Sequence, residues 1–179
     1  MTAEKRELRS RYRRERAERF RSTSFLHLLD SPEFSSARCV TSYFSINDEP
    51  STAELNRSLI SKGVTVLLPR VSGSSLEWVA WDGNASSLQE NRGLIEPLGL
   101  AIEDLSEIDV VMVPSLHIDR FGYRLGQGGG FYDRALPLLP GWKVGLVHSG
   151  EFAEDELPRE PHDIRLSAVA TPDKIIRFD

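Results

Sequence analysis

The sequence predicts a single α/β domain, residues 1–179, in which a mainly parallel sheet carries helices on both faces. Short apolar runs typical of buried strands alternate along the chain with segments of helical spacing. Hydrophobic residues make up 40% of the 179 positions, which is enough for a full core. No repeat, low-complexity segment or clear domain boundary interrupts the alternation. Strands joined through helices favour right-handed crossovers and therefore parallel pairing.

Three segments are predicted to be helices. The basic N-terminal segment 1–21 has no Gly or Pro between residues 3 and 20 and is rich in Arg and Glu. Ser51–Ser61 has Leu and Ile at helical spacing and is followed by Gly63, a residue suited to a helix C-cap. Phe131–Leu139 ends at a Pro-Gly pair, which stops a helix.

Seven short runs, mostly apolar, are predicted to be strands because several are rich in Val, Ile and aromatic residues. They are Ala37–Phe44, Val64–Leu68, Leu76–Trp81, Asp109–Val113, Lys143–Val147, Ala168–Ala170 and Lys174–Phe178. Val64–Leu68 is continuously apolar, as in a strand buried on both faces, and we expect it to stop at Pro69 and Arg70.

The composition points to a cytoplasmic protein that does not enter a membrane. No apolar run approaches the roughly 20 residues that a membrane helix needs. The N-terminus has no apolar stretch behind its charges, so it does not read as a secretory signal. Cys39 is the single cysteine, which excludes an internal disulfide, fits a reducing compartment and is expected to pack in a strand.

The net charge of −5 is unevenly distributed. Residues 4–21 hold nine of the 22 Lys and Arg residues and four Glu, so the rest of the chain is acidic. A basic helix on an acidic body predicts an anionic partner, either nucleotide phosphate or nucleic acid. A solvated helix with i,i+4 ion pairs explains the charges equally well. We expect Arg13 and Arg16 to be exposed charges of little functional weight.

The most informative segment is 113–134, VPSLHIDRFGYRLGQGGGFYDR, which follows a predicted strand and precedes a predicted helix. Glycines at 126 and 128–130 remove side chains from the turn, so that backbone N–H groups can converge on phosphate oxygens. The spacing is neither that of a Walker A loop nor that of the dinucleotide fingerprint. A flexible surface loop would have a similar composition.

The flanks of the glycines favour a nucleotide site over a plain surface loop. Arg124 offers a bidentate fork for an oxyanion. Asp133 could hold Mg²⁺ against nucleotide phosphates. Phe131 and Tyr132 offer ring faces on which a heterocycle could stack.

These residues resemble the 5-formyltetrahydrofolate cyclo-ligase family. DRFGYRLGQGGGFYDR at 119–134 is similar to the family pattern, which usually reads close to FDxxGxRLGxGxGYYDR. The segment 5–9, KRELR, resembles the family's N-terminal KxxLR element. Other similar segments keep the family order along nearly the whole chain. They are SINDEPST at 45–52, LLPRV at 67–71, GLIEP at 93–97 and PHDIRLSAVATPDKII at 161–176.

The resemblance implies a Rossmann-like three-layer α/β sandwich and a set of site residues. The implied ATP-binding residues are Lys5, Arg9, Arg124, Leu125, Gly126, Gln127, Gly128, Gly129, Gly130, Phe131 and Tyr132. The implied folate-binding residues are Phe44, Glu49, Gln127 and Phe131. The implied Mg²⁺ ligands are Asp133 and Asp163. The chain departs from the family pattern at Arg92, His117, Ile118, Gln127 and Phe131.

The resemblance also implies an activity, the ATP- and Mg²⁺-dependent closure of 5-formyltetrahydrofolate to 5,10-methenyltetrahydrofolate. The formyl oxygen takes the γ-phosphoryl group, N10 attacks the same carbon, and phosphate leaves. We expect a monomer or weak dimer that binds no nucleic acid. Two alternatives are a sugar-phosphate or CoA-handling enzyme on a similar scaffold and a non-catalytic nucleotide- or RNA-binding module.

Several conspicuous residues are expected to be structural. Trp78 and Trp81 are more typical of strand packing than of ligand contacts. Nothing in the sequence marks a catalytic partner for His148 or His162. Asp119 suits the start of a turn.

Overall fold

The computed structural model describes residues 3–19, 23–153 and 155–179. The α-helices are α1 (Ala3–Arg19), α2 (Pro32–Ser35), α3 (Ala53–Ser61) and α4 (Phe131–Ala135). The strands are β1 (Cys39–Thr41), β2 (Thr65–Ser72), β3 (Ser75–Trp81), β4 (Leu88–Asn91), β5 (Leu94–Pro97), β6 (Val110–Pro114), β7 (His117–Asp119), β8 (Arg124–Leu125), β9 (Trp142–Leu146), β10 (Phe152–Ala153), β11 (Ala168–Ala170) and β12 (Ile175–Arg177). Seven of them form the central sheet, in the order β12-β11-β9-β6-β1-β2-β3.

The middle of the sheet is parallel. β2, β1, β6, β9 and β11 pair in parallel with their neighbours. β3 and β12 pair antiparallel at the two edges. The prediction of an α/β fold with a mainly parallel sheet is therefore confirmed.

Alternate residues of β6 point into two separate apolar clusters, as expected for a strand covered on both faces. Val110 and Met112 pack in one cluster, which contains residues of α2 and α3. Val111 and Val113 pack in the other, which contains Ala135 of α4. Helices on both faces of one sheet make three layers, in agreement with the predicted sandwich.

The helix α1 lies outside these two clusters. Its Leu8 and Tyr12 pack against a small apolar cluster formed by Leu116, Leu125 and Leu157. That cluster adjoins the three-stranded sheet β10-β7-β8. Most of the side chains that α1 turns toward the body are therefore charged rather than nonpolar, which makes ion pairs important for its position.

Most predicted elements are present with shifted ends. The helix predicted over 1–21 is confirmed for Ala3–Arg19, while residues 1, 2, 20 and 21 lie outside the described residues. The helix predicted over Phe131–Leu139 changes at residue 136 to a 3₁₀ turn, where Pro137 cannot donate a helical hydrogen bond. No helix in the described ranges is long and apolar enough to cross a membrane.

The expected stop at Pro69 is wrong, because β2 continues through it and pairs with β3 as far as Ser72. Its parallel partner β1 pairs with β2 only as far as Leu67 of β2. Beyond that point no strand of the described ranges pairs with β2 on the β1 side, so a proline without an N–H group is tolerated there. This part of β2 pairs with β3 alone, and the two strands form a hairpin that extends beyond the last residue paired with β1.

The hairpin β4–β5 was not predicted. Its turn contains Arg92 and Gly93, with φ values of +51° and +81°. Two residues in the left-handed region are typical of the tight turns that join antiparallel strands. Three of the four residues of β4 are exposed, so the strand has no apolar alternation that a sequence pattern could reveal.

Candidate active site

A cavity opens where the neighbouring central strands β1 and β6 end. In parallel α/β sheets, ligands bind at the carboxyl ends of the strands. The wall is formed by residues that follow β1, residues of the β2–β3 hairpin, residues of β5, the end of β6 and the glycine loop. They are Tyr43, Phe44, Ile46, Glu49, Pro69, Val71, Leu76, Leu94, Ile95, Glu96, Pro114, Arg124 and 126–133.

Most of the expected ligand residues share this one cavity. Phe44, Glu49, Arg124 and all residues from Gly126 to Asp133 line it. The expected residues outside the lining are Lys5, Arg9, Leu125 and Asp163. Leu125 is only 1% exposed, and its side chain packs in the apolar cluster beneath α1.

The glycine loop needs glycine for two different reasons. Gly128 and Gly130 have φ values of +104° and +68°, which side chains rarely adopt. Gly130 is also the N-cap of α4. Gly129 has no positive φ, but a Cβ there would lie 3.0 Å from the Phe131 ring. The loop is therefore constrained by backbone conformation at Gly128 and Gly130 and by crowding at Gly129.

Two arginines of α1 hold the loop. Arg9 Nε donates to the Gly126 carbonyl at 2.8 Å. Arg13 donates to the side-chain oxygen of Gln127 at 2.9 Å and to its carbonyl at 2.5 Å. Arg9 Nη1 is buried and makes no hydrogen bond within the described residues. That donor remains available to an anion bound beside the loop.

The expectation of exposure is confirmed for Arg13 and wrong for Arg16. Arg13 is exposed but binds Gln127. Arg16 is 5% exposed and forms a bidentate pair with Glu151, with both N–O distances 2.6 Å. It also donates to the Ser115 carbonyl at 2.7 Å. The helical spacing indicates which side of α1 Arg16 occupies, but its partner lies 135 residues away along the chain.

Lys5 is buried with two carboxylates. Its Nζ lies 2.6 Å from Asp163 Oδ2 and 3.0 Å from Glu160 Oε2, and its side chain is 5% exposed. Asp163 also accepts from the Glu160 N–H at 2.7 Å. Lys5, which was expected to contact phosphate, therefore pairs with Asp163, which was expected to bind a metal ion.

Arg124 repeats that arrangement with Asp133. Burial lowers the pKa of Arg124, while the negative charges of Asp133 and Asp163 act in the opposite direction. Both carboxylates therefore act on one guanidinium group. We call this part of the site, with Lys5, Arg9, Arg124, Asp133 and Asp163, the charged end.

Glu49 and Tyr132 lie where the charged end meets the rest of the cavity. Glu49 is 8% exposed and accepts from Ile46 N–H at 3.2 Å and from Gln127 Nε2 at 3.5 Å. Burial raises its pKa above the ordinary glutamate range. Burial also raises the pKa of Tyr132, whose hydroxyl has no hydrogen-bond partner within the described residues. The Tyr132 hydroxyl can therefore bind a ligand group.

The nonpolar part of the lining, with Phe44, Val71, Leu76, Leu94 and Ile95, is called the apolar end. Phe44 packs edge-to-face on Trp81 with ring centroids 5.0 Å apart. Apart from Phe44, sequence reasoning missed these residues, together with Tyr43, Ile46, Pro69, Glu96 and Pro114. The family-like segments 67–71 and 93–97 contain some of these residues, but the resemblance implied no role for any side chain in them.

The departure at Arg92 does not change a wall of the cavity. Arg92 lies in the β4–β5 turn and is not among the lining residues. His117 is also outside the cavity, stacked on Tyr12 with ring centroids 4.0 Å apart. Gln127 and Phe131 are the departures that do line it.

The structural interpretation of Asp119 and the tryptophans is confirmed. Asp119 is fully buried and accepts from the Phe121 and Tyr123 N–H groups, each at 2.9 Å. Trp78 and Trp81 are 2% and 6% exposed.

His148 and His162 lie outside the cavity. His148 has a ring nitrogen 2.8 Å from the Asp48 carbonyl. His162 lies beside Glu160 and Asp163, and ligand atoms of the three lie within 4.8 Å of one another. This group adds two possible metal-binding side chains next to Asp163.

Comparisons with known proteins identify the family of the chain. A model of the 5-formyltetrahydrofolate cyclo-ligase family matches residues 1–172. A 5-formyltetrahydrofolate cyclo-ligase of Mycolicibacterium smegmatis is 36% identical, over 76% of this chain and 75% of its own. One of Escherichia coli is 35% identical, over 83% and 85%. The solved 5,10-methenyltetrahydrofolate synthetase of Aquifex aeolicus superposes with a TM-score of 0.82 at 30% identity, over 97% and 92% of the two chains. The chain belongs to the 5-formyltetrahydrofolate cyclo-ligase family.

Proposed function

We propose that this chain closes 5-formyltetrahydrofolate to 5,10-methenyltetrahydrofolate and converts ATP to ADP and phosphate. Family membership supports the reaction. The observation that carries the proposal is the contact between Gln127 and Glu49, 3.5 Å apart. It joins a loop suited to phosphate with a wall suited to a planar heterocycle. A phosphoryl donor and its acceptor can therefore lie side by side in one cavity.

The charged end supplies the groups that a triphosphate needs. Arg124 offers a bidentate fork, and Arg9 Nη1, buried beside the loop, has no hydrogen-bond partner in the part of the chain that the structure describes. Backbone N–H groups of the glycine loop add further donors. Lys5 reaches the phosphates when it leaves Asp163 and Glu160. Leu125 contributes through the backbone, because its side chain is buried elsewhere.

The chemistry calls for positioning rather than for a protein nucleophile. The formyl carbon is a poor electrophile, because the N5 lone pair is delocalised into the carbonyl. The formyl oxygen attacks the γ-phosphorus and ADP leaves. N10 then attacks the formyl carbon and loses its proton, and phosphate leaves with the oxygen. The chain holds the two substrates in line and stabilises the phosphoryl charge.

The donor set fits Mg²⁺, for which Asp133 and Asp163 are the proposed ligands. Both carboxylates act on the same guanidinium group, so they serve one region of the site. Mg²⁺ is commonly held by one or two carboxylates together with substrate phosphates. When bound, it would neutralise phosphate charge. Asp133→Asn and Asp163→Asn should each weaken Mg²⁺ binding to the ATP complex by calorimetry and shift the Mg²⁺ dependence of turnover. Curves that overlay wild type would contradict the assignment.

The remaining proposals concern the state of the protein. We infer a single domain that works in the cytoplasm as a monomer or weak dimer without nucleic acid. Sedimentation of the purified chain across a concentration series tests the oligomeric state. A stable dimer at all concentrations would contradict it.

The test of the reaction is the absorbance change of 5-formyltetrahydrofolate incubated with the protein, with and without ATP and Mg²⁺. We expect methenyltetrahydrofolate to form only with all components present. A sugar-phosphate or CoA-handling enzyme would give no ATP-dependent product. A non-catalytic nucleotide- or RNA-binding module would bind its ligand without turnover. Family membership disfavours both alternatives.

A further inference from the structure

A buried carboxylate, Glu96, lies among the nonpolar side chains of the apolar end. It is 2% exposed and lines the cavity next to Val71, Leu94 and Ile95. Burying a carboxylate among nonpolar groups is costly unless hydrogen bonds compensate for the lost water. The position therefore needs a reason beyond filling space.

Each oxygen of this carboxylate accepts one hydrogen bond from the protein. Oε1 accepts from the Val71 N–H at 2.9 Å, and Oε2 accepts from Asn91 Nδ2 at 2.9 Å. The first bond ties the β4–β5 hairpin to β2, and the second lies within the hairpin. A carboxylate has about four acceptor positions, so about two remain for a ligand in the cavity.

The proposed substrate carries two hydrogen-bond donors that fit the remaining acceptor positions of Glu96. This step rests on the proposed function. The formyl group on N5 must face the glycine loop, where the phosphates bind. On the pyrimidine ring of the pterin, the N3–H and the 2-amino group lie on the side remote from N5. They form two parallel donors, the arrangement that a carboxylate binds in bidentate fashion.

We propose that Glu96 binds the N3–H and 2-amino edge of the pterin and thereby selects 2-amino-4-oxo pteridines. The described hydrogen bonds of Glu96 are to β2 and the β4–β5 hairpin, whereas Glu49 hydrogen-bonds to Gln127 of the glycine loop. Glu96 is therefore the carboxylate suited to the edge of the ring that points away from the phosphates. It acts in binding and selection and takes no part in bond formation.

The test compares 5-formyltetrahydrofolate with its analogue in which hydrogen replaces the 2-amino group. Calorimetry without ATP gives the affinity of wild type and of Glu96→Gln for both ligands. Loss of a hydrogen bond to a charged group should weaken wild-type binding of the analogue by about 10- to 100-fold. Glu96→Gln should lose most of that discrimination and keep wild-type affinity for ATP.

Asn91→Ala is the matched control, because it removes one partner of Glu96 and does not line the cavity. It should keep the discrimination even if its melting temperature falls. Equal affinity of the wild-type protein for 5-formyltetrahydrofolate and the analogue overturns the role of Glu96. This measurement uses no variant, so it does not depend on whether a variant folds. Full discrimination in Glu96→Gln overturns that role too. Absence of wild-type turnover with 5-formyltetrahydrofolate and ATP would instead overturn the proposed function.

Discussion

The two ends of the cavity are built in opposite ways. The charged end depends on one continuous segment, 124–133, and on side chains that α1 and Asp163 bring to it. The apolar end is assembled from residues that follow β1, from the β2–β3 hairpin and from β5. Ion pairs hold the first, and packing holds the second. Substitutions at the two ends should therefore have separable effects, on ATP and Mg²⁺ in one case and on folate in the other.

The largest effect is expected from Arg124→Met, which removes a buried cation from the charged end. Loss of a group that stabilises transition-state charge should lower kcat by about 10²- to 10³-fold. Arg124→Lys should not restore it, because lysine lacks the planar fork. Steady-state kinetics in both substrates measure the effect. Arg120→Met, an exposed change outside the cavity lining, is the control. Near-normal turnover in Arg124→Met would place the triphosphate elsewhere.

Lys5→Met and Arg9→Met should each weaken ATP binding by about 10- to 100-fold, as expected for one charged hydrogen bond. The exposed Arg14→Met is the control, since Arg13 and Arg16 both have structural contacts. Calorimetry with Mg²⁺ present gives the ATP affinity.

The Lys5 variant should differ from the Arg9 variant when Mg²⁺ is titrated without nucleotide. Removing Lys5 takes its ammonium group away from Asp163 and Glu160, so Mg²⁺ alone should bind more tightly than to wild type. Unchanged ATP affinity in both variants, or weaker Mg²⁺ binding in Lys5→Met, would contradict the exchange of partners at the charged end.

Gly130→Ala should have a smaller effect on the same end. Its φ of +68° costs a side chain about 1–2 kcal/mol, which corresponds to a roughly tenfold higher KM for ATP if the loop shifts to relieve it. Gly63→Ala is the matched control, since Gly63 has φ +81° and open space around a Cβ. Gly130→Ala should lose more thermal stability than Gly63→Ala, because its Cβ would also lie 2.6 Å from Arg134 Nη1 and displace that side chain. An ATP effect in Gly63→Ala would mean that the loop itself is not responsible.

The smallest effect concerns Glu49, where the two ends meet. Because burial raises its pKa, the folded state disfavours ionisation, and stability falls as pH rises through the raised value. Glu49→Gln should therefore melt higher than wild type at pH 8, by no more than about 4 °C. The difference should vanish below the ordinary glutamate pKa of about 4.3. Melting curves across pH measure it, and a pH-independent difference would contradict the cause.

The sequence predicted the charged end far better than the apolar end. Glycines and flanking charges within 124–133 carry their chemistry locally, so together they favoured a nucleotide site, whereas the roles of Lys5, Arg9 and Asp163 were implied by the family resemblance. Leu76 and Leu94 become neighbours of one cavity only after the sheet forms. Nonpolar side chains look alike in sequence whether they line a cavity or fill the core.

Partners distant along the chain account for the other errors. Arg16 looks like a solvated charge until Glu151 is brought to it. Pro69 looks like a strand end because the sequence does not show how short β1 is. Both depend on which segments become neighbours, and local propensity does not contain that information.

The pairs that Lys5 and Arg124 form with acidic side chains also bear on how fast the enzyme can cycle. In the proposed site, Asp163, Glu160 and Asp133 act as tethered competitors of the nucleotide for the same two cations. These carboxylates lower the affinity for ATP and ADP alike. The lost affinity does not slow the chemical step, because binding that is equally strong in the ground state and the transition state gives no acceleration. Their recapture of the cations favours departure of ADP and phosphate. The family reaction ends with two anionic products, and a charged end that restores its own ion pairs is suited to releasing them.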